Sequence, residues 1–503
     1  MTDYEEFKWR ETQPGRWVRD LDEPEMAYTS LFKRFEGSGR SFFHMTGHLS
    51  LKMAVPEGES RTRAEAKLDQ ALKNAWVSLR CQHPNLASQT KLDPSTGKWV
   101  KEYLTSADGW LDKTFVCVPG EHTGVEWSNN DPPAPPLPTM NVLSPAVQDE
   151  QTIRRDLIFR APHDIIDGIG TLLLFDNYIR LAAEALDKGD AYQLPALDDP
   201  RIVDNLSPPY RVAAAVSPET SEAIKQRLSG LEAAEKADAL TTIETASLPH
   251  KSGVVAPGVH KRVELILSPE ETSSLLAACK RAGATITHVF HAAIALVLRD
   301  LQPRTDEPRP TRYVAYLLRN ERGTCQPPYN DHRHPTGVYH SISGDKLVVN
   351  MTVPPAAAQS HGDDYRAEFL RIVEQMRQFY TAVRDDKNHY ALAPHLWAKG
   401  TAPLPTEPQA TPPPIPPPGK VAPVSISSMG RIDGVIAHRH GPIETMNPWV
   451  TGEELRNGLG LFLGTFRGSL SLSAAYNDAW IEEEEATRFV KMCMDVVKSS
   501  LGC

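Results

Sequence analysis

Residues 156–168 read Asp-Leu-Ile-Phe-Arg-Ala-Pro-His-Asp-Ile-Ile-Asp-Gly, with His163 four residues before the pair Asp167-Gly168. The first five residues are short, apolar and β-favouring, which predicts a strand. The apolar run at residues 169–186 has helical spacing and few charges, which predicts a helix. We therefore expect His163 on a tight strand-to-helix connection, where a side chain can point into a cleft.

An imidazole at such a position can act as a general base, because its unperturbed pKa is about 6.5. Asp167 is expected to brace the loop, and Gly168 to allow a turn that a Cβ would obstruct. Three common residues at a fixed spacing also recur by chance, as an ordinary loop histidine before an Asp-Gly turn. The rest of the chain must therefore decide whether the motif is functional.

Composition predicts a globular protein of two domains, since 503 residues are too many for one core. The hydrophobic fraction is 40%, the charged fraction 23% and the net charge −10, with no basic stripe, which argues against nucleic acid as a partner. We identify no secretory signal and no apolar run of membrane-spanning length. Six scattered cysteines without a Cys-x-x-Cys pair indicate a reducing compartment, so we expect a cytoplasmic monomer without membrane contact.

Hydrophobic patterning predicts alternating strands and helices, and hence an α/β fold with mixed sheets flanked by helices. Further strands are predicted at residues 46–53, 98–104, 261–267, 312–318, 346–353, 424–428, 460–466 and 469–476, and helices at 61–80, 219–239, 269–281, 287–298, 363–384 and 482–501. We expect an N-terminal domain at residues 1–190, a crossover connector at 191–260 and a C-terminal domain at 261–503. Residues 403–418 are a proline-rich insertion that neither a helix nor a sheet can contain.

Five segments in order resemble the superfamily of chloramphenicol acetyltransferase, the condensation domains of peptide synthetases and the BAHD acyltransferases. They are the His-x-x-x-Asp-Gly motif at residues 163–168, the strand and two helices at 263–298, Tyr-Val-Ala-Tyr-Leu-Leu-Arg-Asn-Glu-Arg at 313–322, Ser-Ile-Ser-Ser-Met-Gly at 425–430, and residues 468–478. The opening segments, residues 7–10 and 17–26, look like fungal stand-alone acetyltransferases of the trichothecene 15-O-acetyltransferase type. The resemblance implies two chloramphenicol-acetyltransferase-like domains with an active-site tunnel at their interface.

Two departures from the superfamily pattern stand out. Pro162 occupies the position before the motif histidine, where a second histidine is frequent. The Asp-Phe-Gly-Trp-Gly segment of plant BAHD enzymes is absent, and residues 429–433 read Met-Gly-Arg-Ile-Asp instead. A plant-type enzyme is therefore not expected.

The resemblance implies acyl transfer from a thioester, most simply acetyl-CoA as co-substrate, to a hydroxyl of a small metabolite such as a trichothecene-like sesquiterpenoid. His163 would be the general base, and Asp167 would pair with an arginine, with Arg319 as first choice and Arg322 as second. Candidate oxyanion or substrate contacts, by position, are Ser427, Ser428 and backbone N–H groups near Gly430. No bound cofactor and no metal are required.

Alternative functions stay open at this point. A condensation-type catalyst could take its acyl group from a carrier-protein thioester, and a non-catalytic condensation-like protein could only bind. Ser95-Thr96-Gly97-Lys98 matches a Ser-x-x-Lys nucleophile motif but is more typical of a turn between strands. The two His-x-His pairs, at residues 332–334 and 438–440, lack a carboxylate-rich shell and are interpreted as solvated loops rather than metal ligands.

Overall fold

A computed structural model describes residues 4–146, 149–357 and 362–503 of the protein. The strands are β1 Arg10–Gln13, β2 Arg16–Asp20, β3 Met45–Ala54, β4 Ser88–Asp93, β5 Lys98–Leu104, β6 Phe115–Cys117, β7 Thr139–Leu143, β8 Thr152–Ala161, β9 Glu244–Thr245, β10 His260–Ile266, β11 Arg309–Ala315, β12 Leu318–Asn320, β13 His340–Ile342, β14 Leu347–Val353, β15 Val424–Arg431, β16 Arg439–His440, β17 Ile443–Gly452, β18 Leu459–Phe466 and β19 Ser469–Asn477. The helices are α1 Glu23–Phe35, α2 Arg61–Gln82, α3 Trp110–Thr114, α4 Gly124–Ser128, α5 Gly168–Lys188, α6 Tyr210–Ala213, α7 Glu222–Asp238, α8 Pro269–Arg281, α9 Ile286–Asp300, α10 Asp363–Asp385, α11 His389–Gly400 and α12 Glu483–Leu501.

The first large sheet has six strands in the order β16-β17-β3-β8-β7-β6. Its pairs are antiparallel except β6 with β7, which are parallel, so the sheet is mixed. Helices α2 and α5 pack on it and bury Leu72, Trp76, Leu174 and Tyr178 in one core with the strand side chains. The motif connection between β8 and α5 therefore begins at the centre of this sheet and ends at a core helix.

The second large sheet has the order β10-β19-β18-β15, with β15 and β18 parallel and the other pairs antiparallel. One face carries Val263, Leu461 and Leu472 into a core shared with α8, α9 and α12. Helix α8 starts with Ser268 as N-cap in a capping box with Glu271, as its sequence predicts. The other face of the sheet is turned away from this core.

Strand β17 joins the two halves of the chain. It follows β15 in the sequence, yet it pairs with β3 of the first sheet from Gly452↔Met45 to Glu444↔Lys52. The ladder is interrupted between Met446 and Trp449, where Asn447 has a positive φ of 46° and precedes a proline. The first sheet is thus completed by a strand from the second half.

Most predicted elements are confirmed, and the predicted strand at residues 98–104 coincides with β5. Among the elements that the prediction missed are β17, α1 and α11. The strand predicted at residues 312–318 is confirmed as β11, but its end was placed too late, because β11 ends at Ala315 and the chain resumes pairing only at Leu318, in the two-stranded β12–β13 sheet.

Two further features of the described chain concern membrane contact and the proline-rich insertion. No single described helix is long and apolar enough to span a membrane. The helices α8 and α9 together have the length and composition of a span, but they are bent by 87° relative to each other. The proline-rich segment lies against the first half of the chain, where the Trp99 indole N–H donates to the carbonyl of Pro405 and Ile415 packs with Phe35 and Phe42.

Candidate active site

His163 lies on the turn between β8 and α5, as predicted. Its ring stacks on the ring of Tyr28 from α1, with centroids 3.8 Å apart and an angle of 12° between the planes. The His340 ring is 5.6 Å away, and its Nε2 lies 2.8 Å from the Tyr28 hydroxyl. Two aromatic rings from different parts of the chain thus fix the imidazole plane.

Burial keeps the His163 imidazole neutral. The side chain is half-buried, and its Nδ1 is enclosed without a hydrogen-bond partner in the described part of the chain. Burial lowers the pKa of His163 to about 3, and the neighbouring His340 acts in the same direction. At neutral pH the ring is therefore in the form that accepts a proton.

Asp167 holds the connection from the other side. Its Oδ1 accepts from the Gly170 N–H at 2.8 Å, which makes it the N-cap of α5, and its Oδ2 accepts from the Tyr339 N–H at 2.9 Å. Arg322 Nη1 donates to both carboxylate oxygens at 2.8 Å. Burial alone would raise the pKa of Asp167, but Arg322 and His340 hold it well below its usual range.

The arginine that pairs with Asp167 is Arg322, and the first choice, Arg319, is wrong. Arg319 lies on the short strand β12 and donates to the carbonyls of Val383 at 3.0 Å and Asp386 at 2.9 Å. Arg322 begins the turn after β12, which brings it to Asp167. Its Nη2 also donates to the carbonyl of Pro335 at 3.1 Å.

The role predicted for Gly168 is also wrong. Gly168 is the first residue of α5, without a positive φ, and a Cβ there would meet its nearest atom, Cγ2 of Val450, at an ordinary 3.5 Å. The crowded glycine is Gly170, where a Cβ would lie 2.2 Å from the Pro335 carbonyl oxygen and 2.7 Å from Arg322 Nη2. The close backbone approach is thus two residues later than the motif suggests.

Three further residues hold the turn, and sequence reasoning missed them. Tyr28 and His340 contact the His163 ring, and His340 Nδ1 also lies 3.7 Å from Asp167 Oδ2. Buried Lys101 from β5 donates at 2.8 Å to both the side chain and the carbonyl of Asp164. The Tyr28 and His340 contacts join positions 135 and more residues from the motif in sequence, so no local pattern could reveal them.

The proposed oxyanion contacts lie at the end of β15. The Ser428 hydroxyl is 2.9 Å from that of Thr287, and Gly430 takes a positive φ of 66° at an irregularity in the β15–β18 ladder. Met429, between them, lies beside the first turn of α5, because a Cβ on Gly168 would be 3.7 Å from its Sδ. The fold thus brings this strand end to the α5 terminus, while the roles of Ser427, Ser428 and Gly430 stay predictions.

A cavity of about 360 Å³ opens between the two large sheets. One wall is the irregular part of β17, residues 446–450, and the other is formed by side chains of β10, β18 and β19. Met429 and Val450, the two neighbours of Gly168, belong to its lining. The cavity therefore reaches the terminus of the helix that begins just after His163.

Three of the four histidines in the His-x-His pairs contact a carboxylate. His438 Nε2 lies 2.6 Å from Asp433 Oδ1, His440 Nε2 lies 2.8 Å from Asp176 Oδ1, and His332 pairs with its neighbour Asp331. Within the described ranges, no group of three or more His, Cys, Asp or Glu side chains could hold a metal ion.

Comparison with solved structures identifies the fold. The trichothecene 15-O-acetyltransferase TRI3 from Fusarium sporotrichioides superposes with a TM-score of 0.77 at 16% identity, covering 99% of this chain and 98% of that one. The first condensation domain of the calcium-dependent antibiotic synthetase gives 0.60 at 14% identity, covering 96% of each chain. The protein thus has the same fold as TRI3 and this condensation domain, as expected from the resemblance of its motifs.

Comparison by sequence is consistent with this fold. O-acetyltransferase pigM of Monascus ruber is 26% identical over 501 residues, covering 98% of this chain and 87% of its own length. No protein-family model matches the sequence.

Proposed function

We propose that this protein is a CoA-dependent O-acyltransferase that moves an acetyl group from acetyl-CoA to a hydroxyl of a secondary metabolite. The observation that carries the proposal is the neutral His163 ring, stacked on Tyr28 and carried by a turn that the Asp167–Arg322 pair holds in place. The name of pigM, an O-acetyltransferase similar along nearly the whole chain, supports it.

In the proposed reaction His163 accepts the proton of the acceptor hydroxyl while that oxygen attacks the thioester carbonyl. The tetrahedral intermediate collapses with cleavage of the carbon–sulfur bond, and the imidazolium returns the proton to the leaving thiolate. Burial disfavours the charged ring, so the proton is held only briefly. Hydroxyls of Ser427 and Ser428 or backbone N–H groups near Gly430 would donate to the oxyanion.

The acceptor we propose is a hydroxylated metabolite of the trichothecene-like kind, by analogy with TRI3. The carrier-protein alternative has a specific basis in the likeness to a condensation domain. Both functions use the same base, and they differ in the thiol that leaves.

The test is thiol release from acetyl-CoA over a panel of hydroxylated terpenoids and alkaloids. His163→Ala should remain folded and lower turnover by roughly a hundredfold or more, because the general base is lost. His332→Ala is the matched control, since His332 is exposed and pairs only with its neighbour Asp331. Near-normal turnover by His163→Ala would overturn the proposal, and transfer only from an acyl-carrier protein would favour the condensation-type alternative.

A further inference from the structure

Arg262 is a buried arginine that lines the cavity between the sheets. Its side chain is 2% exposed and lies on β10, on the sheet face opposite the second core. The guanidinium carbon is 4.4 Å from the centroid of the Trp449 ring, on the opposite wall. The backbone of Arg262 is fixed separately, because its N–H and carbonyl each bond the Asn129 side chain at 2.8 Å.

Most of the guanidinium donors are unused. Arg262 Nε, Nη1 and Nη2 are all enclosed, and none has a hydrogen-bond partner in the described part of the chain. Nη1 lies 2.7 Å from Glu264 Oε2, and this ion pair neutralises the charge. Buried donors are nearly always bonded in folded proteins, so Nε and Nη2, which lack a polar neighbour in the described part of the chain, call for a partner that binds in the cavity.

The surroundings define the chemistry of that partner. Met446, Pro448, Val450, Phe462 and Phe466 make much of the lining apolar, which suits a hydrocarbon ring system. Because Glu264 already balances the guanidinium, an anionic ligand would meet a carboxylate as well as the arginine. A neutral carbonyl oxygen accepts the free N–H donors without that repulsion.

We infer that this cavity binds the apolar ring system of the acceptor and that Arg262 donates hydrogen bonds to a neutral carbonyl oxygen on it. The inference rests on the proposed function for the identity of the bound molecule as acceptor. It adds the substrate class, a ring compound with both a hydroxyl and a ketone, and it makes Arg262 a specificity-determining residue.

The test uses binding, so that it does not depend on turnover. Dissociation constants are measured by calorimetry for hydroxytetralone, for tetrahydronaphthol, which has the same rings without the ketone, and for hydroxynaphthoate, which carries a carboxylate. The intact protein should bind the ketone about tenfold more tightly than the other two, the gain expected from a hydrogen bond to a charged donor. Arg262→Met should abolish the preference.

Two variants complete the design. Arg262→Lys keeps the charge beside Glu264 but removes the planar donors, so it should fold and still lose most of the preference. Arg456→Met is the control, because Arg456 also stacks on an aromatic ring, at 4.7 Å from Phe42, and pairs with a glutamate two residues earlier, outside this cavity. Its ketone preference should equal that of the intact protein.

Three results would overturn the inference: equal affinity for ketone and alcohol, a preference that survives in both Arg262 variants, or tightest binding of the carboxylate. If neither hydroxytetralone nor tetrahydronaphthol binds, the inference is contradicted as well. A loss of CoA affinity in Arg262→Lys with the ketone unaffected would assign the donors to the amide carbonyls of CoA instead. Absence of acetyl transfer beside an Arg262-dependent ketone preference would refute the proposed function and leave the cavity assignment standing.

Discussion

The Asp167 carboxylate gathers four groups: the Gly170 and Tyr339 N–H donors, Arg322 and His340. Three of these come from the segment around residues 322–340, so a single side chain joins the motif to the second half of the chain. The negative charge of Asp167 is balanced by Arg322, so the carboxylate does not depend on His163 for a counterion. Asp167 therefore positions the turn on which His163 lies rather than polarising the imidazole.

Arg322→Ala should be strongly destabilising, because it leaves the buried Asp167 charge without its counterion. We expect the free energy of unfolding to fall by about 3–5 kcal/mol and the turnover of the folded fraction by about tenfold or more. Urea unfolding and turnover per folded molecule measure the two effects. Arg319→Ala should leave turnover of the folded fraction within about twofold, since the partners of Arg319 in the described chain are Glu321 and the carbonyls of Val383 and Asp386, away from the motif turn. The reverse ranking would restore Arg319 as the partner.

Tyr28 should set both the orientation and the pKa of His163. Tyr28→Ala removes the stacked ring and admits water, so the pKa of His163 should rise from about 3 towards its ordinary value, and turnover should fall by about tenfold. Tyr28→Phe keeps the stack, loses only the hydroxyl at His340 and should change both quantities little. The measurement is an NMR titration of the ring protons beside the pH profile of turnover; identical profiles for both variants would contradict the stacking role.

Some residues of the candidate site could be predicted from the sequence, and others could not. Local order in the sequence predicted His163 on its turn, and the resemblance to the acyltransferase superfamily implied an arginine partner for Asp167. It did not predict which arginine, since the choice depends on where β12 ends. Tyr28 and His340 were not predictable, because their roles arise from contacts that only the fold creates.

At the scale of elements, the first turn of α5 is held against the segment before β13. The Gly337 N–H donates to the Ile165 carbonyl at 2.8 Å, and the Pro335 carbonyl lies over Gly170. A backbone can come this close only where a side chain is missing. The identity of the second glycine in Gly168-Ile169-Gly170 therefore matters more than that of the first.

Gly170→Ala should disrupt this contact, because its Cβ would lie 2.2 Å from a backbone oxygen that cannot move alone. We expect a loss of about 2 kcal/mol or more in unfolding free energy together with reduced turnover. Gly168→Ala is the matched control, and it should be neutral or slightly stabilising, since alanine favours a helix and finds room there. Thermal unfolding of both variants measures the difference; equal stabilities would show that the segment before β13 yields easily.

Whole elements were predicted best where periodicity is strong. The helices α2, α9 and α12 and the strand β5 follow from their patterns, and α9 is buried over residues 288–299 as its apolar sequence predicts. Strand β17 was not predicted, because Asn447 and Pro448 interrupt its alternation of apolar and polar residues, as is typical of an irregular strand. The same irregular residues of β17 form one wall of the cavity. The irregularity that made the strand hard to predict is therefore part of the candidate site.

At the scale of the whole molecule, β17 ties the second half into the first sheet through its ladder with β3, and the Asp167–Arg322 pair adds a second tie nearby. Order in the sequence predicted two similar halves but not this exchange, because pairing between distant strands leaves no local signal. The domain boundary at residues 260–261 stays a prediction.

Acid should destabilise the whole protein through histidines buried in their neutral form. Burial lowers the pKa of His83, His163, His260 and His291 to about 3 each, whereas an unfolded histidine titrates near about 6.5. Between these values the unfolded chain binds more protons, so stability is full above about pH 6.5 and falls as the pH drops, by up to about 1.4 kcal/mol per unit and histidine. Urea unfolding between about pH 8 and 5 measures the slope. His83→Gln should lower the slope by about a quarter, since it removes one of the four histidines, and exposed His332→Gln should leave it unchanged. A slope that is flat in the intact protein would mean that these rings are protonated in the folded state.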